Sequence, residues 1–143
     1  MAHHRFKPNT YYNTLGSHPP ALNIADGDRV CALTADARGC DESGETVANR
    51  GNPMSGPFFV EGAEPGDALA VTLHRLFPNR PTGFTGTRIA PNVLDPEYVP
   101  DFEDEMDTLL WAVDNERRTV RPIGLNGTLG DLELPLEPMV GCF

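Results

Sequence analysis

The chain has 143 residues and carries 21 acidic against 11 basic side chains, a formal net charge of −10. This balance argues against binding to nucleic-acid phosphates or to an anionic membrane surface, because both require clustered Lys and Arg. The sequence also contains no apolar run of about 18 residues and no hydrophobic segment typical of a signal peptide.

The length fits one ordinary domain, and we expect residues 1–143 to form a single β-domain. The 14 Gly and 14 Pro residues leave little room for long helices and favour short strands joined by tight turns. Cys31, Cys40 and Cys142 form neither a CxxC pair nor a disulfide framework. Without an export signal, reduced structural thiols and a cytoplasmic location are the expectation.

The first predicted strands cover residues 21–24 and 29–34, on either side of a turn at Ala25–Asp28. Residues 36–56 are rich in Gly and polar residues and predict a long irregular connection. Loops of this length in compact domains are commonly functional or disordered. A short apolar strand is then predicted at residues 57–60.

Residues 68–76, ALAVTLHRL, follow a turn-rich link at residues 61–67. The alternation places Leu69, Val71 and Leu73 on one face, although a helical period also fits. The β-branched residues and the exit into Phe77-Pro78 favour a strand. Because both turns end in Gly-Asp between two predicted strands, we predict hairpin corners at residues 26–28 and 64–67.

The rest of the chain alternates loops with one clear hairpin. Residues 78–100 contain five Pro and predict a loop, and the acidic stretch at residues 101–107 predicts a solvated surface segment. Leu109–Val113 and Thr119–Ile123 predict two strands around a turn. The apolar residues 139–143 resemble the middle of a buried strand, which predicts that a continuation or a partner chain covers them.

Five segments of the chain resemble the acetamidase/formamidase family, whose members hydrolyse small linear amides. The most specific is GPFFVEGAEPGDAL at residues 56–69. The others are HPPAL at 18–22, TADARGCDESGE at 34–45, IAPNVLDPEYV at 89–99 and PMVGCF at 138–143. The resemblance covers essentially the whole chain but only about the first half of a family member. The family's His-Gly-Gly-Asn-x-Asp motif and its later acidic and histidine cluster are absent from these 143 residues.

The resemblance implies an all-β fold, a sandwich or a jelly-roll-like arrangement with long loops, in agreement with the short-strand pattern. It also implies a divalent metal, with zinc as the candidate. No pair of histidines has HxH or HExxH spacing, so the sequence identifies no metal ligand. A small-molecule amide is the implied partner, together with a second chain carrying the missing half or further copies of this chain.

Glu61 and Asp36 are the candidate catalytic residues. Each follows an apolar strand within a matched segment, so both could face one concave pocket. Amide hydrolysis needs an activated water and stabilisation of the tetrahedral oxyanion, and carboxylates at strand ends suit the first task. The alternative is that both are ordinary turn or surface carboxylates.

The four histidines give one further candidate. His18 lies in the matched HPPAL segment and is the candidate substrate contact. We expect His3 and His4 to be exposed near the terminus, and His74 to face solvent because it alternates with the apolar side chains of its strand.

Two functions from different classes remain open. The first is an amidohydrolase that releases ammonia from formamide or acetamide and is complete only with the second half. The second is an inactive truncated or split remnant that folds as a β-domain or serves as a partner subunit. The sequence leaves open whether the isolated chain is an enzyme.

Overall fold

A computed structural model describes residues 1–86, 91–93, 95–97 and 108–139. Within these residues the secondary structure consists of ten β-strands and two short 3-10 helices, which confirms the all-β prediction. None of these residues forms a helix long and apolar enough to cross a bilayer. The chain divides into two compact units, and the boundary between their described residues falls in the sequence between His74 and Arg75.

The first unit holds six strands in three separate pairs. The strands are β1 (His3–Phe6), β2 (Tyr11–Tyr12), β3 (Leu22–Ile24), β4 (Arg29–Ala32), β5 (Met54–Ser55) and β6 (Phe58–Val60). β1 pairs with β4 and β3 with β6, both in parallel, whereas β2 pairs with β5 in antiparallel orientation. The sequence did not predict β1, β2 or β5. Their pairings join segments that lie far apart in the chain.

The predicted hairpin at residues 26–28 is wrong, although its turn is present. The N–H of Asp28 donates to the carbonyl of Ala25 at 3.1 Å, as the Gly-Asp pattern predicted. The strands on either side do not pair with each other, because β3 and β4 each have another partner. The Gly27-Asp28 dipeptide therefore predicted the turn correctly, but it did not predict which strands pair with β3 and β4.

The predicted strand at residues 68–76 is also wrong. The turn before it exists, with the N–H of Asp67 donating to the carbonyl of Glu64 at 3.0 Å. Residues 68–78 that follow have no assigned secondary structure. From residue 68 to residue 77 the backbone makes no hydrogen bond to any residue that the structure describes, and the Pro78 carbonyl accepts one from the Asn115 side chain at 3.1 Å. The alternating pattern is present, but no second strand pairs with it in the described structure.

The second unit contains one four-stranded antiparallel sheet. Its strands are β7 (Thr82–Gly86), β8 (Thr108–Asp114), β9 (Thr119–Pro122) and β10 (Leu134–Pro135), in the order β10-β9-β8-β7. The β8–β9 hairpin confirms the sequence prediction, with Val113 opposite Val120. β7 lies in a stretch that had been predicted as loop. The 3-10 helices span Pro91–Val93 and Gly127–Leu129. The acidic stretch at residues 101–107 and Cys142 lie outside the described residues.

Burial in both units is shallow. Among the described residues no apolar side chain is fully buried, and sixteen large ones are exposed. In the first unit the rings of Phe6 and Phe58 make an edge-to-face contact, with centroids 5.1 Å apart. In the second unit Trp111 and Val113 are half-buried. Paired strands thus bring apolar side chains together without enclosing them, and the sandwich or jelly-roll arrangement stays a prediction.

Candidate functional site

The long connection between β4 and β5 is folded around two aspartates. Asp36 is the first. Its Oδ1 accepts the backbone N–H groups of Arg38 and Cys40, both at 2.9 Å, and its own N–H donates to the Cys40 carbonyl at 2.8 Å. Short acidic side chains favour such turns because they replace backbone partners. The candidate catalytic carboxylate therefore also holds the entry of this loop.

Asp41 repeats this arrangement five residues later. Its Oδ1 accepts the hydroxyl of Ser43 at 2.6 Å and the N–H groups of Ser43 and Glu45 at 2.9 and 3.2 Å. The side-chain hydrogen bond from Ser43 is the main cause of the lowered pKa of Asp41. Asp41 is also the buried polar residue of the first unit, only 7% exposed. The antiparallel bridge between Cys40 and Thr46 closes the loop.

A charged pair lies beside this loop. Lys7 Nζ donates to Glu42 Oε1 at 3.0 Å, and this hydrogen bond raises the pKa of Lys7 and lowers that of Glu42. Burial, followed by the charge of Asp41, raises the pKa of the Tyr11 hydroxyl. Tyr11 lies on β2, which the pairing with Met54–Ser55 fixes. Lys7 and Tyr11 thus lie close to the loop residues Asp41 and Glu42.

His18 is part of a small aromatic cluster. Its ring stacks on Tyr12, with centroids 3.8 Å apart and an interplanar angle of 10°. Its Nε2 lies 2.8 Å from the carbonyl oxygen of Thr14 and 3.2 Å from the Thr14 hydroxyl. The ring is held in place by stacking and by one turn of its own segment. Its predicted contact with a substrate stays a prediction.

Glu61 follows β6 directly, as the sequence indicated. Its N–H donates to the carbonyl of Ile24 at 2.7 Å, which extends the β3–β6 pairing by one residue, and its side chain is exposed. Asp36 follows β4 instead, which pairs with β1. Each of the two carboxylates thus continues a different strand pair, and their common pocket stays a prediction.

Asp28 is a structural residue that the sequence did not single out. It accepts hydrogen bonds from the N–H of Ala2, from the N–H of Ala25 at 3.1 Å and from the His4 ring at 3.0 Å. These bonds, that of Ala2 first, hold the pKa of Asp28 far below its ordinary value. His4 is therefore half-buried and bonded rather than exposed, because β1 and the Gly27-Asp28 turn meet. His3 and His74 are exposed, as predicted.

The implied metal finds no ligand set in this part of the chain. Across residues 1–86, 91–93, 95–97 and 108–139, no three His, Cys, Asp or Glu side chains lie close enough to hold a metal ion. Cys31 is exposed and Cys40 half-buried, and both are free thiols. No catalytic step is therefore assigned to a metal on these residues.

The second unit carries an apolar groove with a volume of about 420 Å³. It runs along one face of the sheet, where Trp111, Val113 and Leu134 are among the lining residues. The Nε1 atom of Trp111 is buried without a hydrogen-bond partner among the described residues. None of His18, Asp36 and Glu61 contributes to this groove, whose chemistry is that of an apolar contact surface.

These features define a β-rich chain whose carboxylates, tyrosines and histidine lie on loops and strand ends, where functional groups commonly sit. Over 90 residues the chain is 34% identical to a protein of Schizosaccharomyces pombe named "putative formamidase". The similarity supports a formamidase-like family and agrees with the resemblance seen in the sequence.

The similarity is partial on both sides. It covers 56% of this chain, and the chain spans 22% of the length of that curated relative. No family model matches the chain. No solved structure matches it either. The comparison therefore supports a formamidase-like family for part of the chain, and the activity is left to be proposed.

Proposed function

We propose that this chain takes part in the hydrolysis of small linear amides of the formamide or acetamide type, with release of ammonia. The observation that carries the proposal is the 34% identity over 90 residues to the protein named "putative formamidase". The loop carboxylates add chemical support, because an amide needs a base to activate water and an acid to protonate the leaving nitrogen. A cytoplasmic location, with free Cys31 and Cys40, belongs to the same proposal.

Glu61 and Asp36 take different parts in this proposal. Glu61 is exposed at the end of β6 and is the group we assign to water activation. Asp36 accepts two backbone N–H groups through Oδ1, so its first role is to shape the loop from which we propose that it acts on the amide. His18 is the proposed substrate contact. Its ring is held by Tyr12 in a fixed orientation.

We further propose that activity requires a second polypeptide segment, supplied in the same protein or by another chain. Two facts support this. The chain spans 22% of its relative, and no described apolar side chain is fully buried. A transition state for amide hydrolysis needs donors held in a water-excluded site, and losing one such donor costs about 3–4 kcal/mol. The divalent metal, with zinc as candidate, would then take its ligands at least partly from that segment.

The experiment is an assay of ammonia release from formamide and acetamide. The 143-residue chain is measured alone and with a polypeptide that carries the remaining part of the relative, each with added zinc and with chelator. We expect background rates for the isolated chain and turnover for the mixture. Glu61→Gln should abolish that turnover, whereas Glu64→Gln, a neighbouring exposed carboxylate, should preserve it.

Two outcomes would contradict the proposal in different ways. Robust, metal-dependent turnover by the 143 residues alone would show that the site is complete here. No turnover by a folded complex with any small amide would instead favour the second function, a β-domain that acts only as a partner subunit. The exposed apolar side chains are the observation that favours this second function.

A further inference from the structure

The segment from Asp67 to Arg75 has the pattern of a β-strand without a partner. Leu69, Val71 and Leu73 alternate along it and are 61%, 65% and 48% exposed. Its backbone from residue 68 onward makes no hydrogen bond to a described residue. Free N–H and C=O groups in such a row form a template that a second strand can pair with. We call residues 67–75 the pairing segment.

The order of its side chains is complementary to itself. If two copies lie antiparallel with Val71 opposite Val71, Leu69 of each copy faces Leu73 of the other. In the same register Asp67 faces Arg75. All these residues are odd-numbered and share one face of a strand. Because a two-fold axis relates the two copies, the Asp67–Arg75 pair and the Leu69–Leu73 pair each occur twice.

Each charged end of the pairing segment makes one local contact in the structure. The guanidinium carbon of Arg75 lies 4.5 Å from the ring centroid of Phe77, two residues along, as expected for neighbours on one face of an extended chain. Asp67 uses Oδ2 to accept the N–H of Glu64 at 2.9 Å, and a carboxylate has further acceptor sites. Both charges can therefore take part in a pair without losing these contacts.

We propose that a second copy of this chain docks on the pairing segment and forms an antiparallel two-stranded junction centred on Val71. The net charge of −10 on each copy opposes association. That repulsion is screened beyond about 8 Å at physiological ionic strength, whereas cross-strand pairs are in direct contact. Because two isolated strands are only marginally stable, the association is weak and concentration-dependent.

Charge reversal in the full chain tests the register. Sedimentation velocity over a micromolar to millimolar concentration range should show dimers of the wild-type chain. Arg75→Asp or Asp67→Arg alone should weaken self-association about tenfold, because each creates two like-charge contacts. An equimolar mixture of the two single variants should form heterodimers, and the double variant should again form homodimers. Arg50→Asp, an equal charge change at an exposed site outside the segment, should leave the association unchanged.

Cross-linking tests the centre of the junction independently. In a background with Cys31, Cys40 and Cys142 replaced by Ser, Val71→Cys should form an intermolecular disulfide on mild oxidation, because directly opposite residues have Cβ atoms about 4.5–5.5 Å apart. Thr72→Cys should cross-link several-fold less, because in this register position 72 of one copy lies opposite position 70 of the other and not opposite position 72. Far-ultraviolet circular dichroism confirms that each variant is folded.

A chain that is monomeric at millimolar concentration would overturn the proposal. So would dimers that are indifferent to both charge reversals, or equal cross-linking at positions 71 and 72. Capture of the segment by a different polypeptide, with loss of the self-association, would also overturn it. None of these readouts depends on amide hydrolysis, so this result and that of the activity assay can be distinguished.

Discussion

Residues 36–56 and residues 68–77 contrast in how well their sequence pattern predicts their structure. Residues 36–56 are rich in Gly and polar side chains, yet they are closed by aspartate turns, a bridge and strand β5. Residues 68–77 have the alternating pattern of a strand, yet they carry no secondary structure. The comparison teaches that turns built by short acidic side chains are satisfied locally, whereas a strand needs a partner to satisfy its backbone.

The largest expected effect comes from breaking the ordered loop at Gly39. This residue has a φ of +85°, and a Cβ on it would overlap the carbonyl oxygen of Ala48. Gly39→Ala should therefore lower the free energy of unfolding of the first unit by about 3 kcal/mol or more. Urea denaturation followed by circular dichroism gives the value. Hydrogen exchange of the Val47 amide, which donates to the Gly39 carbonyl, locates the effect.

Gly44 provides the matched control. Its φ is +86°, but a Cβ there would meet nothing within 4 Å. Gly44→Ala should cost only about 1 kcal/mol, the penalty of the left-handed backbone. Equal losses in the two variants would mean that backbone conformation, and not the close approach of Ala48, decides the stability of the loop.

An intermediate effect is expected from the carboxylate anchor at Asp28. Its folded-state pKa is lowered, so the stability that it contributes is complete above the ordinary pKa of about 3.9 and is lost as the pH falls through the lowered value. Melting temperatures of the wild type should therefore drop steeply below about pH 4. The Asp28→Asn variant should have a lower melting temperature than the wild type at pH 7. Its melting temperature should also fall less steeply as the pH is lowered. Parallel curves for the two proteins would show that other carboxylates control the acid transition.

The smallest effect is expected in the pairing segment. Leu69→Ser combined with Leu73→Ser removes two exposed apolar side chains that no other described residue encloses. At micromolar concentration the free energy of unfolding should change by less than about 0.5 kcal/mol, because surface substitutions rarely do more. A loss of 2 kcal/mol or more would reveal that the segment packs within the monomer, and the contrast with the loop would disappear.

Sequence reasoning succeeded where the signal was local. The all-β class, strands β3, β4, β6, β8 and β9, and the turns before Asp28 and Asp67 all follow from alternation and from Gly-Asp dipeptides. It failed on partners, since β3 pairs with β6 instead of β4. The pairing of two strands 36 residues apart depends on which distant strand can reach the first one. The local sequence pattern of a single strand does not contain this information.

The candidate site shows the same limit. Asp36 and Glu61 could be chosen because each closes an apolar strand, and both do follow strands. Asp28 was missed because two of its three partners, Ala2 and His4, lie far away in the chain. Asp41 was missed because its partners all lie within its own turn. An aspartate two residues before a serine, as in Asp41-Glu42-Ser43, is a signal that could have found the second one.

The parallel pairing of β3 with β6 also sets an order of events during synthesis. Leu22 lies opposite Phe58, and Tyr11 on β2 lies opposite Ser55, 44 residues later. At a translation rate of roughly 5–20 residues per second, the early strands wait about 2–9 s for their partners to be made. During that interval their apolar and aromatic side chains are open to other nascent chains and to chaperones. Residues 11–24 thus depend, for their first seconds, on partner strands that the ribosome has not yet synthesised.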